Sequence, residues 1–320
     1  MPRASADLAT FVMPYYADQP RAEEYLRRAV AGLCAQTDPD WQLVIVDDAS
    51  PRPTDFADLR RMGHAADRIH VLRQDQNRGQ GVGRNVGVRW AGESGSAIVL
   101  FHDADDLSHP SRLARTRRLF TQRPDVDFVY STFVVIDEND DEVEVGRLTP
   151  SVAEILESHR AAPVEGRNAW IRIGTETGYT TLTSTVSVRT DLALAHPFPA
   201  VRGSEDGHAW LRMSAGGSGL AYLRDIPGRY RIPQQVAGSS DRSRIGPAYY
   251  RRKADVDTDG FTQALSIALR RNTIGPAQVE ILRTRFLRRL AETMRREGQH
   301  DLAAEILADA SVERLAGLPA

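Results

Sequence analysis

The sequence contains very little cysteine or lysine. Cys34 is the only cysteine in 320 residues, which excludes a disulfide framework and any zinc site built from thiolates. We expect this thiol to be a small buried hydrophobic group within a helix. Lys253 is the only lysine, although arginine and alanine are abundant, and this composition favours a GC-rich bacterial genome.

Long apolar runs and a large net charge are also missing. No run approaches the roughly 20 residues that a membrane-spanning helix needs, and residues 1–16 contain no signal-peptide core. The formal net charge is −2 at pH 7, so no overall field attracts nucleic acid. We therefore expect a cytoplasmic protein, with peripheral association at the inner membrane face as an alternative.

The first part of the chain alternates between strand and helix patterns. Apolar runs at 7–16, 42–50, 69–72 and 97–106 are typical of buried parallel strands, and helical patterns separate them. This alternation predicts a mainly parallel sheet with helices on both faces. We expect Pro14 to end the first strand, because proline has no N–H to donate to a ladder.

The later part of the chain predicts further strands and then helices. We expect strands at 126–137 and 183–192, and two short strands within 220–232. Residues 142–146 are expected to pair back on the first of these through the preceding acidic turn. Beyond about residue 250 the pattern becomes helical, with Leu and Ile stripes between dense arginines.

Acidic side chains follow three of the predicted strands. The three strand ends are PYYAD at 14–18, DDAS at 47–50 and DADD at 103–106. Because the carboxyl ends of parallel strands meet at one ligand-binding edge, these charges are expected to converge. Each acid alone is explained as a helix cap, but the set favours a site. Asp103 and Asp105 offer the oxygen ligands that Mg²⁺ or Mn²⁺ prefers, leaving positions for water or diphosphate.

The glycine-rich segment NRGQGVGRNVG, at 77–87, precedes a predicted helix. A dinucleotide-binding turn would follow its strand directly, whereas this segment begins several residues beyond Leu72. Two alternatives stay open. The segment is either a plain start of a helix or, as we favour, a loop that approaches a nucleotide with charge from Arg78 or Arg84.

The segment SEDGHAWL, at 204–211, opens a predicted helix with two acids. Ser204 is expected to cap this helix, and the helix dipole favours negative charge in the first turn. Capping is the simpler explanation of Glu205 and Asp206. The alternative is that one carboxylate acts as a general base for an acceptor hydroxyl. His208 is a further candidate for acceptor contact.

In this order, P-x-Y, V-D-D-x-S, N-x-G-x-x-x-x-R-N-x-G, D-x-D-D and E-D resemble the motifs of family 2 glycosyltransferases of GT-A fold. The resemblance covers about residues 8–240. It implies a Rossmann-like, mainly parallel sheet flanked by helices. It also implies sugar transfer from a nucleotide-diphospho-sugar, with UDP as the expected nucleotide and inversion at the anomeric carbon.

The same resemblance implies a role for individual residues. Tyr16 is expected to stack on the base, Asp48 to read its edge and Asp103 to contact ribose. Asp105, with Asp103, is expected to hold the divalent metal, Mn²⁺ or Mg²⁺. Asp206 is the expected base. The implied donor-binding residues are Pro14, Tyr16, Asp18, Asp48, Asn77, Gly79, Arg84, Asp103 and Ala104, and the implied catalytic pair is Asp206 with Glu205.

The chain departs from the family pattern in two places. Ala17 stands where asparagine is frequent, and no histidine follows the Y-R strand late in the domain. The last metal ligand is therefore open. Its candidate replacements, for contact with metal or diphosphate, are Gln234, Gln235 and Ser239.

Two other functions fit parts of the pattern. A sugar nucleotidyltransferase would need an early lysine, and Lys253 is too late in the chain. A non-catalytic nucleotide-sugar-binding module is disfavoured by the complete set of acids. The sequence does not specify the acceptor, for which a small natural product, a peptide or a glycan is expected.

We expect the chain to be divided near residue 250. A GT-A catalytic domain would occupy 1–250, with a nucleotide-sugar half at about 8–107 and an acceptor half at about 108–250. A helical region would occupy 251–320 and pack on this domain or on a second subunit. A homodimer through these helices is therefore an expected arrangement.

Overall fold

The computed structural model describes residues 8–62, 67–234 and 246–316. Its sheet consists of β1 (Ala9–Tyr15), β2 (Trp41–Asp47), β3 (Ile69–Arg73), β4 (Ile98–Phe101), β5 (Phe128–Ile136), β6 (Ser187–Arg189) and β7 (Leu220–Arg231). The strand order in this seven-stranded sheet is β3-β2-β1-β4-β6-β5-β7. Neighbours are parallel except for β6, which runs antiparallel to both β4 and β5. The predicted mainly parallel sheet is confirmed.

Helices flank this sheet and continue beyond it. They are α1 (Ala22–Cys34), α2 (Phe56–Arg61), α3 (Gln80–Glu93), α4 (Arg112–Gln122), α5 (Pro150–Ala161), α6 (Ala169–Arg172), α7 (Thr190–Ala195), α8 (Glu205–Gly216), α9 (Pro247–Arg270), α10 (Pro276–Arg296) and α11 (His300–Ala316). Short 3₁₀ turns occur at Val145–Arg147 and Thr183–Thr185. No helix in the described ranges is long and apolar enough to cross a membrane.

Pro14 lies inside β1 and does not end it. The strand continues to Tyr15, with Pro14 opposite Val46 of β2. The side of β1 that faces β4 is paired only as far as Val12, whose carbonyl accepts from His102. Residues two apart in a strand point their backbone groups to the same side. The nitrogen of Pro14 therefore faces the β4 side beyond the end of that ladder, where no N–H is needed.

Three other sequence-based predictions need correction. The 220–232 segment forms one long strand, β7, because a register shift between Ser131 and Phe133 of β5 lets the pairing continue. Residues 142–146 make only a single bridge, between Ile136 and Glu142, before a 3₁₀ turn. The predicted strand at 183–192 is reduced to β6, between a 3₁₀ turn and α7.

The C-terminal helices pack on the rest of the protein and share its core. Helix α9 lies against α8 and α10. Phe261 of α9 stacks on Phe286 of α10, with ring centroids 4.2 Å apart, and lies 5.3 Å from the ring of Trp170. The predicted packing of these helices on the rest of the protein is therefore observed. Cys34 ends α1 half-buried, so it is less buried than expected.

Candidate active site

Residues 103–106 form an acidic turn after β4, and this turn contains one deeply buried carboxylate, Asp106. The Ser184 hydroxyl donates to it, and so does the backbone N–H of Arg231, at 2.8 Å. Burial, followed by the charges of Asp105 and Asp103, raises the pKa of Asp106. Asp106 therefore joins the turn to β7 and to the segment before β6, which gives it a structural role in this turn.

Arg84 connects this turn to the start of α8. Its guanidinium is fully buried, and its two terminal nitrogens donate to Asp103 and Glu205, each at 2.8 Å. Burial works to lower the pKa of Arg84, but the charges of Asp103 and Glu205 outweigh it and raise that pKa. Both terminal nitrogens are thus occupied by protein carboxylates. Contact between Arg84 and a donor phosphate stays a prediction.

Asp105 is the acid of the turn that reaches the surface. Its carboxylate makes no hydrogen bond or ion pair with any other residue that the structure describes. Loss of solvent around the turn and the charge of Asp103 raise the pKa of Asp105 to about 6. An exposed carboxylate of this kind, beside the quarter-exposed Asp103, suits a hard divalent cation.

The described residues supply few metal ligands by themselves. In 8–62, 67–234 and 246–316, no three histidine, cysteine, aspartate or glutamate side chains are grouped so as to hold a metal ion. A cation at Asp105 and Asp103 would therefore take its other ligands from elsewhere, such as diphosphate oxygens and water. The donor set fits an ion that binds together with a nucleotide.

The two acids that open α8 have different surroundings. Glu205 is buried and paired with Arg84, and burial raises its pKa against the opposing charge of Arg84. Asp206 is half-buried and accepts from the Thr183 hydroxyl at 3.3 Å and from the N–H of Gly207 at 2.7 Å. Asp206 has no cationic partner in the described part of the chain. Of the two acids, it is therefore the one that forms no ion pair in the described ranges.

Ser204 precedes α8, but its side chain does not cap that helix. Its φ of 62° lies in the left-handed region, and its hydroxyl donates to Asp257 of α9 at 2.5 Å. The predicted side-chain cap is wrong, because the left-handed backbone directs the hydroxyl away from the first turn. His208 is also not placed for acceptor contact. Its ring nitrogens are buried between Asp259, at 2.7 Å, and Arg212, at 3.0 Å.

Two hydroxyl residues of the 3₁₀ turn Thr183–Thr185 were not predicted as members of the site. Ser184 Oγ accepts from the backbone N–H of Asp103 at 2.9 Å and donates to Asp106. Thr183 donates to Asp206. This turn therefore lies between the acidic turn and the start of α8 and bonds to both. Nothing in the sequence TST distinguishes it from a strand, so no local signal could have revealed this role.

The end of β1 carries one exposed aromatic side chain. Tyr16 is 39% exposed, whereas its neighbour Tyr15 is buried and contacts the Thr54 hydroxyl at 2.9 Å. The backbone N–H of Ala17 donates to Ser50 at 2.8 Å, which joins the ends of β1 and β2. Asp18 follows in the same loop. Tyr16 is thus a partly exposed aromatic side chain at the edge where the strands end.

Asp48 fastens the loop that leads into α3. Its Oδ1 accepts from Gln74 at 2.6 Å and from the N–H of Arg78 at 2.8 Å, and its Oδ2 accepts from the N–H of Gly79 at 2.8 Å. Gly79 has a φ of 88°, which favours glycine. Asp48 therefore shapes this loop, and its predicted contact with a base edge stays a prediction.

Most of the glycine-rich segment lies inside α3, which starts at Gln80. A Cβ on Gly87 would lie 2.5 Å from Val12, and one on Gly83 would lie 3.3 Å from Pro14. These glycines therefore allow α3 to pack closely on β1 and do not form a phosphate cradle. Pro14 is buried in this contact, and Ala104 is half-buried in the acidic turn.

Two asparagines of the glycine-rich segment at 77–87 connect it to the loop before α8. Arg202 donates to Asn77 at 2.5 Å. Asn85 exchanges two hydrogen bonds with the backbone of Phe198, each at 2.8 Å. The Phe198 ring also lies 5.4 Å from the Arg84 guanidinium carbon. The loop that precedes α3 and the E-D motif are thus held in one arrangement.

The strand with the Y-R sequence supports the acidic turn from the protein interior. Arg231 Nε donates to the carbonyl of Asp105 at 2.7 Å, and its guanidinium lies 4.5 Å from the Tyr25 ring centroid. Gln234 contacts Glu138 and Ile232 and makes no hydrogen bond to the aspartates of the turn at 103–106. The other candidate ligands, Gln235 and Ser239, lie outside the described residues.

Comparison with known proteins agrees with this architecture. The profile of the family described as glycosyl transferase family 2 matches residues 10–181, more than half of the chain. An uncharacterised glycosyltransferase of Nostoc sp. is 35% identical over 147 residues, which are 46% of this chain and 43% of the relative. The succinoglycan biosynthesis protein ExoW of Rhizobium meliloti is 36% identical over 115 residues, 35% of this chain and 34% of that protein. These matches span less than half of the relatives.

Solved structures match over nearly the whole chain. S. aureus TarS 1–349 in complex with UDP is 16% identical, with a TM-score of 0.56, covering 94% of this chain and 90% of that one. The mannosyltransferase PcManGT from Pyrobaculum calidifontis, in complex with GDP-Man and Mn²⁺, is 18% identical, with a TM-score of 0.55, covering 98% and 77%. The sheet, the flanking helices and the family match lead to one assignment: the chain belongs to glycosyltransferase family 2 and adopts the GT-A fold.

Proposed function

We propose that the protein transfers a sugar from a UDP-sugar to an acceptor hydroxyl, or another nucleophile, with inversion at the anomeric carbon. Asp206 acts as the general base. The observation that carries this proposal is the contrast within the E-D pair. Glu205 is buried and neutralised by Arg84, whereas Asp206 is half-buried and has no cationic partner in the described ranges. One unpaired carboxylate is sufficient for a single displacement.

The donor lies along the strand edge in this proposal. The exposed ring of Tyr16 stacks on the base, Asp48 and its loop contact the base edge, and Asp103 contacts ribose. This placement follows from the common edge at which β1, β2 and β4 end. UDP is preferred because TarS has been crystallised with UDP, although PcManGT carries GDP-Man.

A divalent cation, Mn²⁺ or Mg²⁺, is held by Asp105 and Asp103 in this proposal. When bound, it supplies positive charge that stabilises the departing diphosphate. PcManGT has been solved with Mn²⁺. Asp105→Ala should remove the dependence of UDP binding on Mn²⁺ in calorimetry, whereas Asp141→Ala, at an exposed turn after β5, should keep it. Unchanged metal dependence in the Asp105 variant would refute this assignment.

We also propose the division of the chain. The catalytic domain occupies 1–250 and the helical region 251–320, with the acceptor bound by the part after about residue 108. The protein is placed in the cytoplasm or at the inner membrane face, and a second copy would pair through the C-terminal helices. Helix α9 starts at Pro247, close to this boundary.

Asp206→Asn tests the proposed function directly. The amide keeps the size of the side chain but cannot take a proton, so sugar transfer should be lost while UDP binding in calorimetry is retained. Asp191→Asn is the matched control, because Asp191 is an exposed acid in the first turn of α7. Near-normal turnover of the Asp206 variant would show that the base is misassigned. NMR of the product anomer, where it shows retention, would refute inversion.

A further inference from the structure

A buried carboxylate on α9, Asp257, collects three donors beside the E-D motif. The Tyr179 hydroxyl and the Ser204 hydroxyl both donate to Oδ1, the latter at 2.5 Å. Lys253 Nζ donates to Oδ2 at 2.7 Å. Asp257 is only 3% exposed. It lies beyond about residues 8–240, over which the sequence resembles the family, so the motifs of the family do not predict it.

Two of these donors define the backbone at the start of α8. Ser204 has a φ of 62°, a conformation that a residue with a side chain adopts only when its surroundings hold it there. Its hydroxyl bond to Asp257 supplies such a contact. The Tyr179 ring lies against the first turn of α8, where a Cβ on Gly207 would overlap it. Asp206 lies between these two contacts in the chain.

The charge of the cluster is balanced locally. Lys253, the only lysine of the protein, neutralises Asp257 and lies 4.3 Å from the centroid of the Tyr179 ring. Burial and then the charge of Asp257 raise the pKa of Tyr179, so its hydroxyl stays protonated and continues to donate. The cluster is therefore a stable set of donors around one acceptor group.

The start of α8 is consequently held from two sides. Arg84, on α3, pairs with Glu205, and Asp257, on α9, accepts from Ser204. We propose that Asp257 is a positioning residue for sugar transfer: from α9 it fixes Ser204 and Tyr179, and so sets the direction in which the Asp206 carboxylate faces the acceptor. This inference rests on the proposed role of Asp206 as the base. It makes the helical region part of the active site.

The same helix pair offers a matched control. Asp259, two residues along α9, also contacts α8, through His208 at 2.7 Å, but it makes no hydrogen bond to Ser204 or Tyr179. Asp259→Asn therefore weakens the contact between the two helices without changing the cluster. Asp257→Asn keeps the shape of the side chain but replaces one acceptor oxygen by an NH₂ group, which cannot accept from the donors around it.

Hydrogen exchange of the whole protein tests the positioning without a substrate. In Asp257→Asn, peptides that cover residues 204–212 should exchange faster than in wild type, and in Asp259→Asn the first turn should stay protected. The N–H of His208, which donates to the Ser204 carbonyl at 3.1 Å, is the most direct reporter. Unchanged protection at 204–212 in Asp257→Asn, or equal loss of protection in both variants, would overturn the inference.

Turnover gives the second measurement. The release of UDP from UDP-glucose, with water as acceptor, should show a kcat lower by about a hundredfold in Asp257→Asn, as a displaced catalytic group can cause, with KM for the donor unchanged. Tyr179→Phe removes one donor only and should show a smaller loss, which covers the case in which Asp257→Asn does not fold. A fall in kcat no larger than that of Asp259→Asn would contradict the inference. Full activity of Asp206→Asn would instead refute the proposed base.

Discussion

At the scale of single residues, the site depends on ion pairs between distant parts of the chain. Arg84 and Glu205 are 121 positions apart, yet their side chains meet at 2.8 Å in the protein interior. The sequence predicts that acids converge at the strand ends, because strand direction fixes which ends meet. It does not predict which cation neutralises them, because many arginines are available and only the folded structure brings Arg84, on α3, to these acids.

Arg84→Lys should separate the geometry of this ion pair from its charge. Lysine carries one ammonium on a flexible stem and cannot span two carboxylates as the guanidinium does. One of the two acids would then lose its partner, and for the buried Glu205 a broken pair of this kind costs about 3–5 kcal/mol. We expect a lower denaturation midpoint together with a strong loss of sugar transfer.

Arg78→Lys is the matched control for that substitution. Arg78 is an exposed arginine of the same motif, and only its backbone contacts Asp48. Its replacement should leave the denaturation midpoint unchanged. If Arg84→Lys were as stable and as active as this control, the interpretation of Arg84 as a two-armed buried cation would be wrong.

His159 is a buried titratable residue outside the active site. Its ring lies among the rings of Tyr130, Phe133 and Tyr222, with centroids 5.5, 5.8 and 5.2 Å away. Its Nε2 donates to the carbonyl of Thr180 at 2.6 Å. Burial lowers the pKa of this imidazole, and the bond to Thr180 opposes that effect only in part.

This lowered pKa predicts a pH dependence of stability. His159 becomes protonated near pH 6.5 in the unfolded chain and only at lower pH in the folded protein. The contribution of His159 to the free energy of unfolding is therefore largest above about pH 6.5. It falls as the pH decreases, by up to about 1.4 kcal/mol per pH unit. Urea denaturation from pH 7.5 to 5 should give a flatter curve for His159→Gln. The exposed His300→Gln should retain the wild-type slope. Equal slopes for both variants would contradict this prediction.

At the scale of elements, α3 illustrates what a motif can conceal. Its glycines resemble a phosphate-binding loop in sequence, but they lie inside a helix that packs on β1. The spacing of the glycines predicts that another group approaches the backbone of this segment closely. It does not predict whether that group is a phosphate or a strand. In the same way, Pro14 marks the end of one ladder and not of its strand, because a strand in the middle of a sheet has two ladders that end at different residues.

Gly87→Ala should destabilise the contact between α3 and β1. The new Cβ would lie 2.5 Å from Val12 Cγ1, and both belong to the packed interior, so the helix must shift. Overpacking of this kind costs about 1–3 kcal/mol. Gly83→Ala should cost less, because its Cβ meets Pro14 at 3.3 Å. Thermal unfolding of both variants measures the order.

Gly146→Ala is the control for this series, because nothing lies within 4 Å of a Cβ at that position and its φ is not positive. It should leave the melting temperature unchanged or slightly raised, since alanine reduces the entropy of the unfolded chain. The expected order of melting temperatures is Gly146→Ala, then Gly83→Ala, then Gly87→Ala. A different order would show that α3 can move away from β1 at little cost.

At the scale of the whole molecule, the C-terminal helices belong to the same hydrophobic core as the sheet. The cluster that contains Val12 and Phe101 of the sheet also contains Phe261 and Leu290 of these helices. The amphipathic stripes predicted that the tail would pack on something. They could not identify the surface, because a stripe of Leu and Ile suits any apolar face, including that of a second subunit.

A shared core predicts that the helical region and the sheet unfold together. Phe261→Ala removes the ring that stacks on Phe286, and this loss should cost about 3–5 kcal/mol. Far-UV circular dichroism and tryptophan fluorescence should move to lower denaturant concentration together, as for one cooperative unit. Leu269→Ala, at an exposed position of α9, should change neither curve by a comparable amount. Two separate transitions in Phe261→Ala would mean that the helical region is an independent module, and its contribution of Asp257 to the active site would then depend on how the two parts dock.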